Sequence, residues 1–206
     1  MKYKWLSKQN NSKLIIFFNG LGMDENAVKH LDTEDSDVVM FYDYNDLETN
    51  FNFSELNTYG EKNLVAWSMG VMIATNFFSN SHSEISKTVA INGTLKPIDT
   101  KFGINPKIYD LTIRGFNSEK FILNMLDKVE LATDINPNRE FENQKNELIA
   151  IKNYSAKEGF EYNKILISDN DKIIPTKSQC AYWNIEANLK SGHYPFHLFR
   201  KWSEIL

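Results

Sequence analysis

Apolar residues in this chain fall in short unbroken runs, separated by stretches with helical spacing. KLIIFF (13–18), DVVMFYDY (37–44), NLVAWS (63–68), KTVAING (87–93) and KILISD (164–169) are such runs. Continuous rather than alternating apolarity marks strands buried on both faces. WNIEANL (183–189) reads as a further strand and KYKWLS (2–7) as an edge strand. The segments between them predict helices at 24–31, 69–80, 176–183 and 195–205. Strands alternating with helices predict an α/β fold, a mostly parallel sheet joined by right-handed crossovers.

The alternation fails between 94 and 163, where no buried strand is evident. SEKFILNMLDKVEL (118–131) places Phe121, Ile122, Met125, Leu126 and Val129 at helical spacing, and 138–155 reads as a second, more polar helix. A helical insertion after the fourth buried strand is therefore expected within a single domain spanning 1–206. It either caps a pocket or packs as a peripheral helix pair.

Composition narrows the function only slightly. A chain of 206 residues suits one domain with a sizeable core. The net charge of −4 gives no general basic field for nucleic acid. Cys180 is the only cysteine, so no internal disulfide forms, which suits a reducing compartment. The N-terminal stretch has no signal-peptide core, and no apolar run approaches the roughly 20 residues that span a bilayer. A cytoplasmic, monomeric protein that contacts neither membrane nor nucleic acid is the expectation.

One strand ends abruptly in a hydroxyl. AWSMG (66–70) puts Ser68 between a predicted strand and a predicted helix, with small Ala66 and Gly70 flanking it where the two backbones crowd. This is the strand–turn–helix setting of the G-x-S-x-G nucleophile, with alanine in the first glycine position. The helix amino end would favour an oxyanion there. The competing reading is a helix N-cap serine.

A nucleophilic serine needs a base. His193, in SGHYPF, follows the last predicted strand on a loop freed by Gly192, and Pro195 suits the first turn of the next helix. His197 is the competitor, two residues into that helix; His30 and His82 lie in polar, solvent-facing surroundings. The base needs an orienting carboxylate, and ILISDNDKIIP offers Asp171 or, nearer the strand, Asp169. Asp171 is preferred, since the order Ser68, Asp171, His193 is that of a triad on such a sheet. Met69, next after the serine, and Leu21, in FFNGLGMD, are the expected oxyanion N–H donors. Asn92 and Thr94, at the carboxyl edge of the fourth buried strand, either bond a substrate, position the insertion, or cap and close turns. Asp43 either supports the oxyanion loop or closes a turn. This chemistry calls for no cofactor and no metal.

With these loops placed, the chain resembles an α/β-hydrolase. More narrowly it resembles the BioG family of pimeloyl-[acyl-carrier protein] methyl ester esterases, through FFNGLGMD, YDY, VAWSMGVMIA, AINGTLKPID followed by FGI, and SGHYPF. Membership implies a role in biotin synthesis, where the enzyme removes the methyl ester from pimeloyl-carrier protein and ends elongation of a disguised dicarboxylate. Ser68 and His193 match the family's nucleophile and base. A thioesterase or general short-chain esterase with the same triad, and a non-catalytic binding protein on the same fold, are the alternatives.

The implied partner, an acyl carrier protein, is acidic, so an acidic enzyme must attract it with a local basic patch. Arg114, Lys120 and Lys128 in or beside the insertion are the candidate docking residues. The segment also carries Glu119, Asp127, Glu130 and Asp134, so a simple solvated helix face is the alternative.

Overall fold

The computed structural model describes residues 1–79, 85–126 and 132–206. Six strands form one sheet: β1 (Lys2–Ser7), β2 (Lys13–Phe18), β3 (Ser36–Tyr42), β4 (Glu61–Trp67), β5 (Lys87–Ile91) and β6 (Lys164–Leu166). Their spatial order is β1-β3-β2-β4-β5-β6, with the edge strand β1 antiparallel to β3 and every other pair parallel.

The unbroken apolarity of β2 is explained by burial on both faces. Leu14, Ile16 and Phe18 enter one core with Val39, Phe41, Leu64 and Ala66. Ile15 and Phe17 enter the other with Val38, Met40, Val65 and Trp67. The first core is closed by α1 (Gly70–Phe78), whose Val71, Met72, Ile73 and Ala74 are buried. The second is closed by the C-terminal segment, where Phe196 and Trp202 pack edge-on against Phe17 at centroid distances of 5.7 and 5.1 Å.

Between β5 and β6 lie α2 (Pro106–Arg114), α3 (Ser118–Met125), α4 (Ala132–Ile135) and α5 (Phe141–Ile151); α6 (Thr176–Trp183) follows β6. The insertion is thus helical as expected, but the helix expected over 118–131 ends at Met125 with Leu126 extended, residues 127–131 lie outside the described ones, and α2 is an addition to the sequence reading. Its signal was present: Asn105 caps the helix by accepting from the Lys107 N–H, and Pro106 occupies the first turn.

Three expectations fail. The strand at 183–189 does not form: Asn184, in the left-handed region at φ +56°, ends α6, and only Leu189 bridges to Ser168. The Asn188 side chain takes the Ile167 N–H that a ladder would have used. The helix at 24–31 shrinks to the 3-10 turn Glu25–Ala27, capped by Asp24. The helix at 195–205 becomes two 3-10 turns, Phe196–Leu198 and Trp202–Glu204, separated by extended Phe199. There the chain follows the core rather than a helical period, since Phe196, Trp202 and Ile205 are buried without continuous helix. Among the described residues no helix is long and apolar enough to cross a membrane.

Candidate active site

Every parallel strand delivers its carboxyl end to one edge of the sheet, where ligands bind in such folds. Ser68 stands at the end of β4 with φ +58°, in the left-handed region that non-glycine residues seldom occupy. Close approach explains the small residues around it. A Cβ on Gly70 would lie 2.5 Å from the Phe18 carbonyl oxygen, and one on Gly93 would collide with the Ser68 carbonyl and Val71. The turn therefore presses the strand, the helix and the next loop together and lifts the serine hydroxyl outward.

The structure brings Ser68, His193 and Asp171 into one hydrogen-bonded line. His193 Nδ1 is 2.7 Å from Asp171 Oδ2, and Nε2 is 2.8 Å from Ser68 Oγ. All three residues are buried. A carboxylate can only accept, so Nδ1 carries the proton and Nε2 is left to take one from the serine. Asp171 is itself held by N–H donors from Ile173, Ile174 and the buried Gln179 side chain. Asp169 is exposed, pairs with Lys190 at 2.6 Å, and the adjacent ammonium lowers its carboxyl pKa. His197 lies in the 3-10 turn Phe196–Leu198, with Nδ1 at the Tyr194 carbonyl. His30 is exposed as expected, and His82 lies outside the described residues.

Two side chains hold the His193 loop by the same carbonyl. Trp67 Nε1 and Asn92 Nδ2 each donate to the His193 oxygen at 2.9 Å. Asn92 also donates to Ser168 Oγ and accepts from the Ser168 N–H, tying the end of β5 to the loop after β6. Asn92 thus braces the histidine loop from within the protein. Thr94 closes a turn, donating to the Phe102 carbonyl and accepting from the Lys96 N–H.

A cavity of about 210 Å³ opens at the serine, lined by Leu21, Ser68 and Met69 from the sheet edge. The insertion supplies Ile108, Tyr109, Phe121 and Leu148 to its wall, and Lys172 stands on the rim. That volume is below the roughly 300–1,000 Å³ of pockets that enclose drug-sized ligands. Neither the Leu21 nor the Met69 N–H has a hydrogen-bond partner among the described residues. Arg114 and Lys120 are exposed near the lining residues Thr112 and Phe121; Lys128 lies outside the described residues.

The sequence reading overlooked a buried ionic group behind the oxyanion turn. Glu147 on α5 is fully buried and accepts from the Gly22 N–H at 3.0 Å and the Tyr44 N–H at 2.9 Å. Arg139, only 5% exposed, pairs with Glu147 at 2.6 Å and with Asp43 at 3.2 Å. Asp43 in turn takes Lys2 at 2.8 Å. Burial pushes the Glu147 carboxyl above the usual glutamate value, against the pull of Arg139 and the two N–H donors. The adjacent cations and amides hold Asp43 below its usual value despite desolvation. No local pattern marks Glu147; the two backbone N–H groups that it accepts from lie more than 100 residues away along the chain.

Comparison with known proteins agrees with this architecture. The crystal structure of selenomethionine BioG from Haemophilus influenzae matches with a TM-score of 0.89 and 30% identity, over 100% of this chain and 99% of that one. An esterase from Exiguobacterium antarcticum matches at TM-score 0.71 and 16% identity, covering 93% of this chain and 87% of that one, and shares the α/β-hydrolase fold. A malonyl-[acyl-carrier protein] O-methyltransferase of Bacteroides fragilis (strain 638R) is 36% identical over 84% of this chain, which spans only 37% of that relative's length. The family model for pimeloyl-ACP methyl esterase BioG matches residues 1–205, and the chain belongs to the BioG family.

Proposed function

We propose that this chain is a serine carboxylesterase that hydrolyses the methyl ester of pimeloyl-[acyl-carrier protein] for biotin synthesis. The observation that carries the reading is the continuous line from Asp171 through His193 to Ser68, opening on a cavity with two free backbone donors. Ser68 Oγ attacks the ester carbonyl carbon while His193 Nε2 takes the hydroxyl proton. The carbonyl electrons move onto oxygen, which the Leu21 and Met69 N–H groups receive at the amino end of α1. Collapse expels methanol, with His193 returning its proton to the leaving oxygen. Water, deprotonated by the same imidazole, then splits the acyl-enzyme and leaves a free carboxylate on the carrier. Asp171 keeps the imidazole in the working tautomer.

Residues 94–163 act as a cap, since α2, α3 and α5 wall the cavity above the serine. Arg114 and Lys120, with Lys128, steer the acidic carrier to its mouth. The Bacteroides relative supports the substrate class: its name describes methylation of a carrier-bound carboxylate, the kind of ester this site would undo. The reading places a monomer in the cytoplasm, with no cofactor.

The test is incubation with methyl pimeloyl-carrier protein, followed by mass analysis. Release of methanol with the acyl chain still on the carrier supports the reading. Release of free carrier thiol points to a thioesterase. Failure of a fluorophosphonate probe to label wild-type Ser68 overturns both.

A further inference from the structure

The turn that would present Leu21 is pinned at nearly every peptide. The Gly20 N–H donates to Asn19 Oδ1 at 2.8 Å, and the Gly20 carbonyl accepts from the Met23 N–H at 3.3 Å. Gly22 sits at φ +76°, the third position of a turn of type II character. Its N–H donates to Glu147 and its carbonyl accepts from Gln144 Nε2 at 3.3 Å. The Met23 carbonyl accepts from Arg139 at 3.3 Å. Of the four N–H groups from Gly20 to Met23, that of Leu21 alone has no partner among the described residues, and Leu21 lines the cavity. A planar trans peptide whose oxygen is fixed toward Met23 must aim its N–H the other way.

Gln144 and Glu147 are three residues apart on α5 and therefore share a face. Together they grip both ends of Gly22 from the insertion, across more than 120 residues of chain. The other Glu147 oxygen holds the Tyr44 N–H just past β3, so one carboxylate spans two loops at the sheet edge. Burying an ion pair is costly enough that well-packed apolar residues often serve stability equally well. What an apolar pair cannot do is accept two backbone N–H groups and fix a peptide plane.

We propose that Glu147, seconded by Gln144, is a positioning residue for this esterase: it fixes the Gly20–Met23 turn so that the Leu21 N–H meets the oxyanion formed at Ser68. The insertion is thereby a part of the transition-state cradle as well as a cover. This rests on the serine-hydrolase reading. Glu147 touches no reacting atom and acts only through the loop.

The experiment uses a small trifluoromethyl ketone, which Ser68 converts to a hemiketal whose oxyanion occupies the cradle. Oxygen attacks the ketone carbon, the carbonyl electrons pass to oxygen, and His193 takes the proton. Its ionisation is followed by fluorine NMR against pH in wild type, Glu147→Gln, Gln144→Ala and Ile151→Ala. Ile151 is buried on the same helix and makes none of the hydrogen bonds that pin Gly22, so its truncation loosens α5 without unpinning the turn. Active sites are counted by fluorophosphonate titration.

Removal of one oxyanion donor costs about 10²–10³ in kcat. A misaimed donor should cost part of that, about 10–100-fold in Glu147→Gln, with KM of a small ester little changed. The hemiketal pKa should rise and inhibitor affinity fall by a similar factor. Gln144→Ala should move the same quantities in the same direction by less. Ile151→Ala should lower Tm yet leave kcat per active site and the hemiketal pKa as in wild type. A Glu147→Gln protein that melts early but titrates and turns over like wild type overturns the proposal. If that variant does not fold, an unchanged hemiketal pKa in Gln144→Ala overturns it. Absence of any wild-type adduct overturns the serine-hydrolase reading beneath it.

Discussion

The serine turn and the helical insertion face each other across one small cavity, yet they are built by opposite means. At the turn, β4, α1 and the loop after β5 approach so closely that a methyl group is too large at Gly70 or Gly93. The chain is bent into the left-handed region at Ser68 and again at Asn92, and the surrounding carbonyls are claimed by Trp67 and Asn92. The insertion instead exposes Ile108, Leu111, Phe141 and Ile149, and a buried ionic group, Arg139 with Glu147, ties it to the loops at the sheet edge. Steric constraint from a packed sheet fixes where the chemistry sits. Directional hydrogen bonds from a less tightly packed layer tune how one loop faces it.

The sharpest way to break this contrast is to remove the chemistry and leave the packing. Ser68→Ala and His193→Ala should each lower kcat by about 10⁶, the loss seen when either member of a protease triad is removed. The fold should persist, because Trp67, Asn92 and the glycines are untouched. Asp171→Asn should cost about 10⁴, since an amide no longer selects the working imidazole tautomer. Asp169→Asn should stay near wild type, because Asp169 is exposed and paired with Lys190. Ester hydrolysis with circular dichroism of each variant checks all four. An inactive Asp169→Asn beside an active Asp171→Asn would reverse the assignment.

The same contrast explains what was legible from sequence. The parallel sheet could be read because β2, β3, β4 and β5 are buried on both faces and so lack polar alternation. The grouping of Ser68, Asp171 and His193 could be read from local punctuation, a glycine, a proline or an abrupt polar residue near each; Ser68 and Asp171 also follow strands, whereas the strand expected before His193 does not form. The C-terminal 3-10 turns were misread because Phe196, Trp202 and Ile205 mimic helical spacing while packing as separate anchors. Glu147 was illegible because a glutamate on a polar-looking helix carries no sign that its oxygens meet Gly22 and Tyr44. Arg139 is equally unmarked in the sequence, although its side chain is buried.

Alanine at two glycines sharpens the steric half. Gly70→Ala must push against the Phe18 and Asn19 carbonyls at 2.5 and 2.6 Å, which no side-chain rotation relieves. Such overpacking costs about 1–3 kcal/mol, and the shifted helix end should also slow turnover. Gly115→Ala, at the end of α2, meets only the Leu111 carbonyl at 3.5 Å and has ordinary φ of −104°. Its stability should stay within about 0.5 kcal/mol of wild type. Urea unfolding of both variants measures the difference. Equal costs would mean that the insertion is packed as tightly as the turn.

The smallest effect concerns the outer face of the insertion. Arg114 and Lys120 are exposed, and neither lines the cavity. Their charges therefore act, in this reading, on approach rather than on chemistry. Reversing both, as Arg114→Glu with Lys120→Glu, should lower kcat/KM for the carrier-linked ester by about tenfold at low salt, the lower end of what steering supplies. The deficit should shrink near 0.15 M salt, where charges more than about 8 Å apart are largely screened. A small uncharged ester should be turned over at the wild-type rate, since it needs the line through Ser68 and the Leu21 donor but no charged approach. If both substrates slowed together, these cations would belong to the structure of the cap. If neither slowed, the carrier would approach over another face, and Lys172 on the cavity rim would be the next cation to reverse.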